Sequence, residues 1–256
     1  MGRRTFSAIA ATALLTLPTA AQAQARTKVP PAKQAQASKT EIRTKDYSFT
    51  YSYPAAAARI APLRTWLERD RGEARATLIG YVAEGKSAQQ AVGRPFQGYE
   101  SIVEWSVATE TPRLLSLSAK TYDYTGGAHG SPGFRALLWD KTGKRRLEPV
   151  AVFTSTAALN RAVASEFCRQ IDAQRAKKRE GLEKGANGMF DACPPISDTT
   201  VILGSTNRRT INRVGFLIGP YVAGPYSEGS YEVTVPVTPA LLRAVKPQYR
   251  AAFSAR

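Results

Sequence analysis

The sequence has little histidine and cysteine: its 256 residues include one His and two Cys. A structural zinc site of Cys and His needs four ligands, so these residues alone cannot complete one. Long apolar runs are also missing, because outside the N-terminus no stretch reaches the 18 residues that indicate a membrane-spanning helix. We expect neither a metal nor a cofactor.

Acidic residues are also scarce, since 20 Asp and Glu stand against 36 Lys and Arg and give a net charge of +16. The 43% of hydrophobic residues is enough for a packed core and excludes a disordered chain. A positive field of this size favours anionic partners such as envelope glycans, phospholipid headgroups or acidic proteins. The alternative is that the charge serves solubility alone. No nucleic-acid-reading motif is recognised, and we expect no nucleic-acid partner.

The first 25 residues have the pattern of an export signal. A basic start, Gly2-Arg3-Arg4, precedes an apolar run over 8–17 that is too short to span a bilayer. Ala-Gln-Ala occurs at 21–23 and again at 23–25, and both fit the cleavage rule. Residues 3–6 also resemble a twin-arginine signal, so secretory and twin-arginine export both stay open. Removal of the two arginines lowers the net charge from +16 to +14. The mature protein is expected in the periplasm or secreted, with no transmembrane helix.

Export changes the interpretation of the two cysteines. Cys168 and Cys193 are the only pair, and exported proteins fold in oxidising compartments. We predict a disulfide that closes a loop of about 26 residues. By reducing the entropy of the unfolded chain, it would raise the free energy of unfolding by roughly 3–4 kcal/mol. The alternative is two unpaired buried thiols.

Apolar periodicity predicts strands in runs with helices between them. Residues 26–45, rich in Ala, Gln, Lys and Pro, are interpreted as a flexible linker. Strands are predicted over 46–53, 98–109, 113–124, 134–140, 199–204, 211–219 and 230–236, with a short strand before Val150. Helices are predicted over 62–85, from an N-cap at Ser155, and over 239–245. The helix after Ser155 continues as a nearly all-charged stretch at 174–184, interpreted as a solvated face. This order indicates an α+β protein, a two-lobed antiparallel sheet with flanking helices.

One segment is unusually rich in glycine: residues 122–130 read Tyr-Asp-Tyr-Thr-Gly-Gly-Ala-His-Gly. Three glycines in five positions let the backbone take positive φ and approach a ligand or another chain closely. The alternative is a tight turn in which His129 is merely packed or capping.

This segment belongs to an ordered set of motifs. Leu-Trp-Asp-Lys-Thr-Gly-Lys follows at 138–144, then Phe-Leu-Ile-Gly-Pro-Tyr-Val-Ala-Gly-Pro-Tyr at 216–226 and Glu-Val-Thr-Val-Pro at 232–236. The set resembles the extracellular domain of unknown function 3298, here at 121–240. The preceding part, 46–120, beginning with Tyr-Ser-Phe-Thr-Tyr-Ser-Tyr-Pro at 47–54, resembles its usual N-terminal companion, domain of unknown function 4163. Residues 241–256 remain as a basic C-terminal tail.

The resemblance implies a location rather than a reaction. The tandem occurs in RsiV-type anti-sigma factors, whose external part binds lysozyme, and the companion domain occurs beside PdaC-type peptidoglycan deacetylase domains. Both contexts imply a module at the cell wall. Unlike the RsiV type, this chain has no retained membrane helix and no cytosolic sigma-binding segment, and it shows no separate deacetylase domain with metal-binding motifs.

We therefore predict a binding or sensing module without catalytic residues. The candidate ligand-binding residues are Tyr122, Tyr124, Gly126, Gly127, His129, Tyr221 and Tyr226, because aromatic faces stack on sugars or contact proteins. The alternative is that these tyrosines pack in the core. The ligand is a cell-wall or outer-membrane glycan, or a wall-active protein such as lysozyme. Since common lysozyme is basic, repulsion favours the glycan.

The enzyme alternatives are a cell-wall hydrolase or a deacetylase-associated enzyme that uses His129. His129 with Asp123 and Ser131 would form the best triad, although no nucleophile elbow frames Ser131. Asp123, Glu228 and Glu232 could supply a carboxylate pair for glycan hydrolysis.

Overall fold

The computed structural model describes Met1 and residues 36–180 and 188–255. The export signal predicted over 1–25 lies outside the described residues, apart from Met1, and so do residues 26–35 of the predicted linker. The fold given below belongs to the compact unit formed by residues 34–256.

The strands and helices follow the predicted order closely. The strands are β1 (Ser38–Arg43), β2 (Tyr47–Tyr53), β3 (Tyr99–Glu110), β4 (Leu114–Tyr124), β5 (Ser131–Asp140), β6 (Arg145–Leu147), β7 (Thr200–Gly204), β8 (Arg213–Ile218) and β9 (Tyr231–Pro236). The helices are α1 (Ala55–Ala58), α2 (Ala61–Ala91), α3 (Thr156–Lys178) and α4 (Pro239–Ala244). The predicted cap at Ser155 is confirmed, since its side chain accepts a hydrogen bond from Ala158 N. The last helix is capped in the same way, because the side chain of Thr238 accepts from Leu241 N.

Two sheets confirm the α+β class. Strands β1 to β6 form one sheet in sequence order, and β7, β8 and β9 form a second sheet. The predicted antiparallel pairing has one exception in the larger sheet, because β2 and β3 are parallel. Helix α2 connects these two strands and returns the chain to the end of the sheet where β2 began. A parallel pair requires such a connection.

The six-stranded sheet contributes to two hydrophobic cores. On one face, Leu115, Leu117 and Leu137 pack in a cluster that includes α2 residues Leu63 and Leu67. Leu114 and Leu138 belong to the other cluster, which also contains the apolar residues of α3 and of the three-stranded sheet. The domain boundary predicted at residue 120 falls within β4, and the sheet continues across it.

Helix α2 is attached to the sheet by a partly buried polar network. Asp70 on the helix accepts hydrogen bonds from Arg135 Nη1 at 2.9 Å and from Tyr51 Oη at 2.6 Å. Trp105 Nε1 donates to Tyr51 Oη at 3.0 Å. Burial, together with the hydrogen bond to Asp70, raises the pKa of Tyr51 far above its usual range, so its phenol stays protonated.

Two segments interpreted as irregular are structured. Within the predicted linker, residues 38–43 form β1 and pair along their length with β2. Ile42 is the one large apolar residue of this strand, so backbone hydrogen bonds to β2 hold it in place. The predicted basic tail, 241–256, packs against the fold over its described part, 241–255: Leu241 and Tyr249 are buried, and Phe253 forms a β-bridge with Ile211. These side chains complete the core around the three-stranded sheet.

The outer edge of β9 is covered by helix α3. Gln170 Nε2 donates to Thr234 O at 3.0 Å, and Gln174 Nε2 donates to Glu232 O at 2.8 Å. The same two amides accept from the backbone nitrogens of these strand residues at 3.4 and 3.5 Å. Side-chain amides therefore take the place of a neighbouring strand.

The described helices include none with the length and hydropathy needed to cross a membrane. Within residues 36–180 and 188–255, no group of three His, Cys, Asp or Glu side chains is arranged to hold a metal ion.

Candidate functional site

The glycine-rich segment forms the hairpin loop between β4 and β5. Gly126 and Gly127 have φ of +95° and +93°, a region that side chains rarely adopt. Tyr124 Oη donates to Gly127 O at 3.1 Å, so a strand residue closes the loop on itself. The glycines are thus needed for the backbone path, as the positive-φ argument predicted.

Gly130 is needed for a different reason, which is space. A Cβ atom built on Gly130 would lie 2.4 Å from Cζ of Tyr122, well inside contact distance. Tyr122 therefore covers Gly130, and this leaves the ring of Tyr122 partly buried rather than free for a ligand.

Alanine at position 130 is expected to lower the free energy of unfolding by about 1 to 2 kcal/mol, because Tyr122 must be displaced. Gly72→Ala is the matched control: nothing lies within 4 Å of its built Cβ, and a helical alanine there should add about 0.5 to 1 kcal/mol. Urea denaturation of both variants measures the difference. Equal effects of the two changes would contradict the close contact.

A second loop, over 219–230, contributes the other aromatic residues. Tyr221 has φ of +68°, and its backbone N donates to Gly224 O at 2.9 Å. Tyr226 begins a short 3-10 helix directly after Pro225. Tyr221 is 57% exposed, whereas Tyr226 is partly buried.

The two loops bring three rings together, and we call His129, Tyr221 and Tyr226 the ring cluster. His129 stacks on Tyr226 with centroids 3.7 Å apart and 17° between the planes. Tyr221 lies 6.4 Å from His129 and 5.8 Å from Tyr226, tilted against both rings. Residues 92 positions apart in sequence thus form one partly exposed aromatic surface.

The hydrogen bonds of His129 assign its ring nitrogens. Nδ1 lies 3.0 Å from Gly130 O, and because a carbonyl only accepts, Nδ1 carries the proton. Nε2 lies 3.3 Å from Tyr221 Oη, and in the neutral ring it accepts from that hydroxyl. The histidine is therefore occupied in orienting the rings.

The catalytic alternative finds little support in these contacts. Asp123 and Ser131 face each other as a cross-strand pair of β4 and β5. In the part of the chain that the structure describes, neither residue has a hydrogen bond to His129, whose partners are Gly130 and Tyr221. A nucleophile needs its base within hydrogen-bond reach, and this geometry does not provide one.

The loop over 219–230 is fixed by two arginines, Arg175 in helix α3 and Arg179, the residue that caps its C-terminus. Arg175 is 4% exposed and donates from Nε to Ala223 O at 2.9 Å and from Nη2 to Ala192 O at 2.8 Å. Arg179 Nε donates to Glu228 Oε1 at 2.8 Å. The disulfide Cys168–Cys193 is present, as predicted, and links the same helix to the segment that contains Ala192.

The environment of Glu228 keeps it ionised. Burial raises the pKa of Glu228, but hydrogen bonds from Arg179 and Tyr231 lower it by more, so it lies below its ordinary value. Burial and the bond to Glu228 in turn raise the pKa of Tyr231 to about 12. Glu228 is thus an ion-pair partner in the loop and is unsuited to act as a general acid. Glu232 and Asp123, the other candidate carboxylates, lie exposed on β9 and β4.

The two arginines were missed in the sequence, where 174–184 was interpreted as a solvated face. For residues 174–180 that interpretation is wrong at Arg175, and residues 181–187 lie outside the described part. The signal was present: Arg175 follows Ile171 by four positions and continues the buried stripe of Leu159, Val163 and Phe167.

A cleft of about 340 Å³ borders the hairpin loop. It is lined by the polar residues Gln89, Arg94, Gln97 and Tyr99 and by Thr125, Gly126 and Gly127 of the loop. We call it the hairpin cleft.

Comparison with known proteins finds partial matches. A family model described as Deacetylase PdaC matches residues 40–132. No curated protein sequence matches the chain. Among solved structures, a domain of unknown function 3298 family protein from Pseudomonas aeruginosa is 20% identical over 87% of this chain and 98% of that chain, with a TM-score of 0.46. A member of the same family from Bacteroides fragilis is 18% identical over 79% of this chain and 90% of that chain, with a TM-score of 0.45.

The PdaC match extends from β1 to the start of β5. It covers the region for which the sequence predicted a companion domain that occurs beside PdaC-type deacetylases. The RsiV type and the assignment to domain of unknown function 4163 stay predictions.

Proposed function

We propose that the protein is a non-catalytic binding module of the cell envelope that binds an anionic glycan at the ring cluster. The PdaC match supports an envelope-associated module. The observation that carries the proposal is the contact of His129, Tyr221 and Tyr226, in which the exposed ring of Tyr221 stands on a backbone held at positive φ. Rigid aromatic faces bind sugar rings because little conformational entropy is lost on contact.

The charges around the two loops fit an anionic ligand better than a basic protein. Asp123 and Glu232 are exposed, but Glu228 is paired with Arg179 and does not add to an acidic surface. Arg94 lines the hairpin cleft, and the chain keeps a net charge of +14 once the two arginines of the signal are subtracted from +16. A basic lysozyme would meet long-range repulsion, so we expect weak or no binding of it.

The test is titration calorimetry with peptide-free glycan-strand tetrasaccharides, whose muramic-acid lactyl groups carry carboxylates. We expect binding that weakens steeply between about 50 and 200 mM salt as screening grows. Tyr221→Ala should weaken it about tenfold or more, since an aromatic contact at the centre of a site contributes at least about 1.4 kcal/mol.

Tyr81→Ala is the matched control, because Tyr81 is similarly exposed, at 50%, but lies on α2. We expect it to bind as the unaltered protein does. An equal loss in both variants, or tight lysozyme binding at 200 mM salt without glycan binding, would overturn the proposal. Turnover of the glycan that His129→Ala abolishes would establish the enzyme alternative instead.

A further inference from the structure

A second and larger cleft lies between the two sheets, with a volume of about 620 Å³, and we call it the inter-sheet cleft. One wall is the face of the six-stranded sheet that carries Glu104, Lys120 and Phe134, which share one cross-strand row. The other wall is the three-stranded sheet, with Arg213, Leu217 and Glu232. No element of the proposed function accounts for this cleft.

The cleft leads to the ring cluster along two strands. On β5, Phe134 is followed toward the hairpin by Pro132 and then by His129 in the loop. On β8, Leu217 is followed by Gly219, whose built Cβ lies 3.8 Å from Pro132 O, and then by Tyr221. The two walls therefore meet at Pro132 and Gly219, between the cleft and the rings, and this places one end of the cleft beside the ring cluster.

The cleft carries charged side chains of both signs. Glu104 and Lys120 face each other across β3 and β4. Glu232 lies opposite Leu217, at the end near the rings, and Arg213 lies four residues further along β8. Four antiparallel residues span about 14 Å. None of these four charged side chains forms an ion pair with another residue of the described part of the chain.

We infer that the inter-sheet cleft binds a short peptide attached to the glycan, with an amine held near Glu232 and a terminal carboxylate held by Arg213. An extended peptide of about four residues, with the amine on the side chain of its first residue, matches the spacing of these two groups, and Phe134 and Leu217 supply apolar contact between them. A neutral or purely anionic ligand would leave at least one of these two charged side chains without an oppositely charged partner. The inference rests on the proposed function, because the sugar at the ring cluster places the peptide.

The test compares three probes by calorimetry: a muramic-acid disaccharide, the same disaccharide carrying a tetrapeptide with a side-chain amine on its first residue, and the free tetrapeptide. The peptide-bearing disaccharide should bind about tenfold or more tighter than the bare one, since each charge-assisted contact is worth about a factor of ten. Arg213→Ala, or amidation of the peptide carboxylate on the unaltered protein, should remove most of that gain.

Arg209→Ala is the matched control, because Arg209 is exposed in the turn before β8 and does not line the cleft. It should keep the full gain. Equal affinity for the bare and peptide-bearing disaccharides would overturn the peptide inference and leave the ring-cluster proposal intact. Binding of the free tetrapeptide that depends on Arg213, with no binding of the bare disaccharide, would support the cleft and overturn the ring-cluster proposal. Binding of no probe would overturn both.

Discussion

Replacing Arg179 by alanine is expected to lower the free energy of unfolding by about 3 kcal/mol, because it leaves a mostly buried carboxylate without its main cationic partner. The side chains of Arg179 and Glu228 are 13% and 7% exposed. Arg169→Ala on the same helix is the control: that arginine is 67% exposed and pairs with Glu166 at i−3, so its loss should cost less than about 0.5 kcal/mol.

The pH dependence gives a second readout for the same pair. Because the pKa of Glu228 is below its ordinary value of 4.5, the carboxylate's contribution to stability is present above that pH and is lost as the pH falls through the lower folded value. The unaltered protein should lose this contribution in acid. The Arg179→Ala variant should lack it, as urea denaturation at several pH values would reveal. Equal acid sensitivity of the two proteins would show that the ion pair is not the cause.

Removing the disulfide is expected to lower the free energy of unfolding by about 3 to 4 kcal/mol through the entropy of the unfolded chain. Cys168 and Cys193 are 25 positions apart and join α3 to the segment whose carbonyls accept from Arg175. The Cys168→Ala, Cys193→Ala double variant should therefore unfold at lower urea and also bind the glycan probe less well, because the arginines position the loop that carries Tyr221.

The control for that experiment is the unaltered protein treated with reductant, which removes the bond without changing the side-chain volume. The double variant and the reduced protein should show similar decreases in the free energy of unfolding. If the reduced protein were as stable as the oxidised one, the bond would contribute little and the loop would be held by the arginines alone. Labelling of both thiols in the native, unreduced protein would contradict the disulfide itself.

The helices and most strands could be predicted because their apolar residues recur at regular spacing. The face of α3, from Leu159 to Ile171, and the alternation of β2 are direct consequences of core packing. Strand β1 could not be predicted in this way, because backbone pairing with β2 holds it and its side chains are mainly polar. The parallel pairing of β2 and β3 depends on where the long α2 packs, which no local pattern records.

The candidate site was predicted in its parts but not in its contacts. The glycine-rich motif and the second loop were both identified, but only the fold shows that His129 and Tyr226 stack. Tyr122 and Tyr124 were grouped with the other tyrosines, yet Tyr122 covers Gly130 and Tyr124 closes the hairpin loop. The burial of Arg175 could not be predicted, because long basic side chains are rarely buried unless hydrogen-bond acceptors surround the charge. Here the acceptors are backbone carbonyls that are distant in the sequence.

The amides of Gln170 and Gln174 also bear on how the protein behaves when many copies are crowded together. An uncovered strand edge is a template on which a second copy can add its own strand, and successive additions lead to fibres. At β9 the donors and acceptors are already taken by helix α3. In the other, six-stranded sheet, β1 is an edge strand, and Lys39, Glu41 and Arg43 place alternating charges along that edge. At β9, helix α3 already occupies the backbone groups that a strand from a second copy would need. At β1, an added strand would bury charged side chains at a cost in free energy. Both features favour a protein that stays dispersed at high local concentration.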